Sequence, residues 1–425
     1  MAHTLETRTT YDDFLKYRYK DVVIQATPEF SALLTKLQRK VAKLPFGGKS
    51  VTFGVTYNSQ GSAASLAEND DLPYSMPGNY DNAVVPIYYH YFASAVSGQV
   101  MRTSEDRESA FARAWAQESL VKVRAFRQMI NRQLCLDGNA ILAQVDGSLA
   151  SQVATIDNAG GISGMVDSDE NGARFISTNM YVQARASGTV HDSGVYISAY
   201  TEGSAPSTSA TITLVGTVSS WADGDYIYAS SGSSTYDAYG HESPGIRLLI
   251  DDGTIAASVQ SISSSTYPEW KSTVGYGSTA GTAEALTTLR MMKLVSAIQV
   301  KGGGNVDFIV TSPNVWLTYG QLADEKNMIT NAKTYDNAWP TLDFMGKEIW
   351  QDPYCTDEMY FIDNRALAIY QTGDGDWITD SKGAIMTQVP GKDAMQAYWQ
   401  WDMCLGIKNR KWCGKLVDIT VADQI

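Results

Sequence analysis

Histidine and cysteine are scarce, with four of each among 425 residues. The cysteines (Cys135, Cys355, Cys404, Cys413) form no C-x-x-C pair, so zinc-ligand spacing is absent and no metal site is expected. Reduced, buried thiols are the expectation instead. No stretch reaches ~18 uncharged apolar residues, so no membrane span is expected. Residues 1–20 are rich in Tyr, Thr and charge, and lack the apolar stretch of a secretory signal. Charged residues make up only 19%, against about a quarter in ordinary domains. Basic residues are the scarcer sign: 33 Lys+Arg face 46 Asp+Glu, a net charge of −13. That excludes a chain whose main task is gripping nucleic acid, because phosphate binding needs clustered Lys and Arg.

Apolar residues reach 44%, with 24 Tyr and 10 Trp. That is ample for packed cores, so wholesale disorder is excluded. It also implies surface covered by something other than water. The acidity is unevenly spread. Residues 146–243 hold 11 acidic and 2 basic residues, Arg174 and Arg185, a local charge of −9. The same segment has 27 Ser+Thr. The remainder is nearly neutral, so 146–243 reads as an inserted module. Strand candidates within it are Met180–Arg185, Val195–Tyr200, Ala210–Val215 and Asp225–Ala229, which predict a small sandwich or barrel.

Along the rest of the chain, residues 1–25 read as an extended arm. Thr27-Pro28 opens a helix, with Phe30, Leu33, Leu34, Leu37, Val41 and Leu44 at helical spacing. Val51–Tyr57 and Ala83–Ala95 alternate as strands around a long polar loop, predicting a long hairpin; loops of that length usually have a job. Thr103-x-x-Asp106 starts a long helix that ends at Asp137-Gly138. Phe111, Trp115, Phe126 and Met129 share one face of it, and Arg113, Arg124 and Arg127 the opposite face. From Gly245 the pattern becomes α/β. Ile246–Ile250 reads as a strand, Ala283–Val300 as a helix and Val306–Thr311 as a buried strand. Ser312-Pro313 opens a further helix. Strands follow near 360, 367–370, 398–407 and 415–421.

Catalytic patterns fail one by one. Gly47-Gly48-Lys49-Ser50 lacks the first glycine of a P-loop, since Lys43 stands there, and a strand follows it where a helix is needed. Gly302-Gly303-Gly304 lies between helix and strand, the reverse of a dinucleotide fingerprint. Asp374, Asp376 and Asp380 lack the remaining ligands of a calcium loop. No G-x-S-x-G elbow exists, and His90 in its Tyr-rich strand reads as a packed histidine. No catalytic residue, cofactor or metal is expected. Three charged groups are left as contact candidates: the basic helix face Lys36, Arg39, Lys40 and Lys43; the stripe Arg113, Arg124 and Arg127; and the acidic loop tip Glu68, Asp70 and Asp71.

The order of these parts resembles the major capsid protein of tailed double-stranded DNA phages, the α+β Hong Kong 97-like fold. Residues 51–95, with Ala67-Glu68 through Leu72-Pro73, resemble its extension loop, and Thr103–Gly138 its spine helix. Gly245-Ile-Arg-Leu-Leu-Ile-Asp251, Ser265–Trp270, and Asp307–Pro313 with Trp316 are similar to its axial domain. Gly346–Gln371 is similar to the strands that follow. The resemblance implies an N-terminal arm over 1–50, an extension hairpin over 51–101 and a spine helix over 102–145. The returning strands near 395–425 would join the spine helix in a peripheral domain. It also implies an insertion over 146–243 and an axial α/β domain over 244–394.

By the same resemblance the chain assembles with copies of itself, as hexamers and pentamers, into an icosahedral virion shell in the host cytoplasm. A separate scaffolding protein, a portal and non-specific contact with packaged DNA are implied. So is a possible decoration protein on the insertion, and no membrane. Cross-linking relatives join a loop Lys to a neighbour's Asn; residues 50–101 contain no Lys, so no such bond is expected. The competing readings are an encapsulin-like compartment, a β-rich tail or adhesion protein, and a hydrolase with an unrecognised site.

Overall fold

A computed structural model describes residues 33, 36–37, 50–57, 63–68, 70–74, 77–97, 122–162, 172–186, 188–203, 209–232, 237–325, 333–334, 340–373, 375–380 and 383–421. In chain order it holds β1 (Ser50–Tyr57), β2 (Asn79–Pro86), β3 (Tyr88–Ser97), helix α1 (122–135), β4 (Ile141–Val145), β5 (Val153–Asp157), β6 (Tyr181–Ala186), β7 (Thr189–Thr201), β8 (Ala210–Val215) and β9 (Tyr226–Ala229). Then come α2 (Ile246–Leu249), β10 (Ser258–Val259), β11 (Ile262–Ser263), β12 (Thr273–Gly275), β13 (Glu284–Ala285), α3 (Thr288–Gly302), β14 (Phe308–Thr311), α4 (Pro313–Glu325), β15 (Lys333–Thr334), β16 (Pro340–Phe344) and β17 (Lys347–Gln351). The chain closes with β18 (Met359–Ile362), β19 (Leu367–Gln371), β20 (Asp376–Trp377), β21 (Thr387–Gln388), β22 (Ala394–Ile407), β23 (Gly414–Leu416) and β24 (Ile419–Thr420).

Two compact units result. The first gathers the described parts of 1–53, 84–132 and 368–406. Its centre is β22, paired antiparallel with β3 from Ala394↔Ser97 to Met403↔Tyr88, and with β19, β20 and β21 on its other side. Alternation along β22 buries Ala397, Trp399, Trp401 and Met403. Phe92 stacks on Trp399 at 5.5 Å and meets Trp377 edge-on at 5.6 Å. Phe126 of α1 completes the cluster, at 4.9 Å from Trp399. A second small core joins Val85, Ala368, Tyr370 and Cys404 to Val51, Phe53 and Tyr88.

The expected hairpin over 51–95 is corrected here. β1 pairs with β2, but β3 leaves for β22. Pro86 ends β2, where its missing N–H cannot continue the ladder. The strand pair is shorter, and the residues after it belong to another sheet.

The second unit gathers the described parts of 54–83, 133–367 and 407–425. It contains a closed six-stranded barrel in the order β4-β5-β8-β7-β6-β9. In β8, Ala210, Ile212 and Leu214 point inward and Thr211 and Thr213 outward. Val145, Ile156, Val182, Val195, Ile197, Trp221 and Ile227 fill the same interior. Closure leaves no sheet edge to pair with strangers. Its first strand, Ile141–Val145, precedes the bounds read from charge, because an apolar inward strand carries no acidic signal.

The rest of this unit is a mixed seven-stranded sheet in the order β12-β23-β18-β14-β17-β16-β15. Met291, Leu294 and Ile298 of α3 and Val315 and Tyr319 of α4 pack on Ile309, Ile349, Phe361 and Leu416. β14 and β17 run parallel, with α4 between them in sequence, as a parallel pair requires. Ser312 caps α4, its Oγ accepting from Val315 N–H at 3.3 Å. Gly303, at φ +66, ends α3 in the left-handed region that favours glycine.

Three further expectations change. The strand β23 sits between β12 and β18, so the C-terminal segment does not all return with 395–406. Residues 368–394, assigned by resemblance to the axial domain, pack in the first unit. And Ile246–Leu249 is a helical turn, not a strand. A short apolar run cannot be told apart by periodicity. The turn is fixed by Gly245, where a Cβ would lie 2.1 Å from the Leu136 carbonyl oxygen, and by Arg247 donating to Asp137 at 2.6 Å.

Candidate assembly surfaces

The acidic tip forms a local turn. Asp70 N–H donates to the Ala67 carbonyl at 3.3 Å, and Asp70 Oδ2 accepts from Ala67 N–H at 2.9 Å. Glu68, Asp70 and Asp71 are all exposed. Beside them stand Leu72 and Tyr74, 83% and 87% exposed. The acidic turn thus adjoins bare apolar side chains.

The basic groups divide. Lys36 is half-buried between buried Leu33 and Leu37, while Arg39, Lys40 and Lys43 lie outside the described residues. On α1, Arg124 is exposed but Arg127 is buried, which corrects the expected placement of both on one face opposite Phe126. Helical spacing sets Arg127 beside Val123, Ile130 and Leu134, all buried. The apolar face is wider than the aromatic residues alone predict, and Arg127 falls on its margin. Phe126 is buried on Phe92 and Trp399, and Met129 is half-buried. Arg113, Phe111 and Trp115 lie outside the described residues.

Two exposed apolar surfaces escaped the sequence reading. Tyr89 and Tyr91 of β3 and Tyr398 of β22 share one sheet face, opposite Phe92 and Trp399, and are 57%, 52% and 39% exposed. The alternation Tyr-His-Tyr-Phe was visible, but aromatics on both faces hid which one was covered. On α3, Leu289, Met292 and Val300 are exposed on the side opposite Met291, Leu294 and Ile298. Their helical angles, worked out at 100° per residue, were available from sequence.

The rejected chemistry has structural explanations where it is described. Asp380 accepts from Ala384 N–H at 3.2 Å in a turn, and Asp376 accepts from Trp377 N–H. His90 is buried in unit 1, and burial pushes its pKa down to about 4. Among the described residues one set of metal-type donors converges, Cys135, Asp352 and Cys355, with ligand atoms within 4.8 Å of one another. Three donors are one short of a closed tetrahedral zinc site, and the Arg174 charge acts on both thiols. No helix among the described residues is long and apolar enough to cross a membrane.

No protein-family model matches the sequence, and no curated protein matches it. Solved structures do. A chain of the Cyanophage A-1(L) capsid asymmetric unit is 14% identical and aligns with a TM-score of 0.54 over 92% of this chain and 93% of that one. A chain of the Myoviridae Phage XM1 capsid is 10% identical over 91% and 92%, with a TM-score of 0.44. The holo-SrpI encapsulin complex from Synechococcus elongatus PCC 7942 gives 7% identity over 91% and 88%, with a TM-score of 0.42. The α+β fold of this chain is thus similar to that of the cyanophage capsid chain.

Proposed function

We propose that the chain is a major capsid protein, a structural subunit that assembles with copies of itself into an icosahedral shell around phage double-stranded DNA. The observation that carries this reading is the fold shared with the cyanophage capsid chain over nine tenths of both lengths. The exposed aromatic and apolar surfaces of both units support it, because copies can cover them. Assembly would proceed in the host cytoplasm through hexamers and pentamers, with a scaffolding protein and a portal supplied as separate chains. Residues 51–101 would serve as the extension loop and Thr103–Gly138 as the spine. The barrel would face outward, its acid and hydroxyl side chains keeping particles soluble and offering a seat for a decoration protein.

The contents of purified particles test the reading. Nuclease-protected double-stranded DNA is the expected result. A protein cargo with no DNA would assign the chain to a compartment of the encapsulin kind, and would contradict the viral role.

A further inference from the structure

Cys135 ends helix α1, and Cys355 closes the turn after β17, 220 residues later. Cys355 N–H donates to the Asp352 carbonyl at 3.1 Å, which sets the turn. The two sulfurs stand 3.4 Å apart, and both side chains are fully buried. Asp352 is equally buried, with a carboxylate oxygen within 4.8 Å of both sulfurs. Phe175 stacks on Tyr354 at 6.0 Å beside the turn. Apolar packing alone asks for no such arrangement, since any two small hydrophobes would fill the space. Two thiols nearly in bonding position beside a buried carboxylate are placed by geometry to be joined.

We propose that Cys135 and Cys355 are an intrachain cross-linking site that closes to a disulfide when the protein meets a small two-electron oxidant of the peroxide class. A sulfur–sulfur bond is ~2.05 Å long, so closure asks for side-chain rotation and a small shift of the turn. In the first step one thiol loses its proton to Asp352, and its sulfur attacks a peroxide oxygen. The O–O bond breaks, the departing hydroxide takes that proton from Asp352 to become water, and a sulfenic acid remains. The second sulfur then attacks the sulfenic sulfur. The S–S bond forms, the S–O bond breaks, and the departing hydroxide takes the second thiol's proton. Two thiols and one peroxide yield one disulfide and two waters, with two electrons passing from sulfur to oxygen.

Burial raises the pKa of both thiols, with Arg174 opposing the rise. The thiolate is therefore rare, and the full burial of both side chains favours a small oxidant over a bulky disulfide. The bond would tie the end of α1 to the sheet unit across the whole barrel sequence. None of this depends on whether the chain builds a shell.

The test uses the full chain, treated with hydrogen peroxide under native conditions, then unfolded and alkylated. The expected result is a mass loss of about 2 Da before alkylation, alkylation of two thiols instead of four, and a linked peptide pair containing Cys135 and Cys355. Dithiothreitol should restore four. Cys135→Ser and Cys355→Ala should each abolish the linked peptide and the mass loss of about 2 Da, while Cys404 and Cys413 remain alkylatable. The oxidised wild-type chain should also unfold at a higher denaturant midpoint than the reduced one. Four alkylated thiols after peroxide, or sulfinic acid in place of the linked peptide, would overturn the proposal. One zinc ion per chain surviving gel filtration and blocking oxidation would overturn it equally, in favour of a metal site. The wild-type peptide map decides even if a variant fails to fold.

Discussion

Phe126 on helix α1 meets Trp399 on β22 edge-on, with ring centroids 4.9 Å apart. These residues are 273 positions apart in sequence, and the contact joins the helix to the central strand of its sheet. Phe92 touches both rings. Trp399→Ala removes the shared partner and leaves a cavity that the sheet cannot collapse around. A loss of about 3–5 kcal/mol is expected, read as a fall in the denaturant midpoint. Arg124→Ala, on the exposed side of the same helix, should change it by less than about 0.5 kcal/mol.

His90 gives a pH dependence with a definite sign. Burial holds its folded-state pKa at about 4, below the usual value of 6.5. The folded form keeps the ring neutral while the unfolded chain takes up a proton below pH 6.5. Stability is therefore full above that pH and falls as pH drops from about 6.5 to about 4, where it levels off. A shift of this size corresponds to about 3 kcal/mol. In His90→Leu the acid slope of the denaturation midpoint should shrink by that amount. An unchanged slope would show that other groups carry it.

Arg410 is fully buried and donates to the backbone carbonyls of Leu249, Trp270 and Asp251 at 2.9, 2.9 and 2.5 Å. Burial pulls even a guanidinium down to about 10, so these bonds hold a charge far from water. Arg410→Met strands the three carbonyls, and a loss on the order of 3–5 kcal/mol is expected. Arg410→Lys should rescue little, because a compact ammonium lacks the planar spread of the three guanidinium nitrogens that reach these separate carbonyls. Thermal unfolding of the two variants against wild type measures both effects.

The acidic turn leads to an assembly phenotype. Glu68 and Asp71 are exposed, so Glu68→Lys with Asp71→Lys should leave the fold intact by circular dichroism yet stop particle formation. Normal particles from the double variant would refute a role for the tip. Residues 50–101 contain no Lys, so denaturing gels of wild-type particles should show one monomer band and no ladder.

Much of the fold was legible because its signals are local. Ser312-Pro313 announces α4, and alternation in 210–215 announces a barrel strand. The pairing of β3 with β22 was not legible, because some 300 residues separate the partners and neither strand names the other. Ile246–Leu249 looks like strand text and becomes helix only because Gly245 packs against the end of α1. Charge found the barrel but missed its first strand, which is apolar. Among the surface candidates, the acidic tip and Arg124 are exposed, as their polar text suggests. The sequence reading put Arg127 on the wrong side, since a buried face wider than its aromatic residues is invisible without knowing what covers the helix. The cysteine pair was hidden for the same reason as β3 and β22: its members come from distant segments of the chain.

The central claim is that this chain builds closed shells. Negative-stain electron microscopy of the expressed protein, alone and with any candidate scaffolding protein, across a range of salt, is the decisive measurement. Isometric closed particles of uniform size are expected. Discrete small oligomers under every condition would contradict the claim.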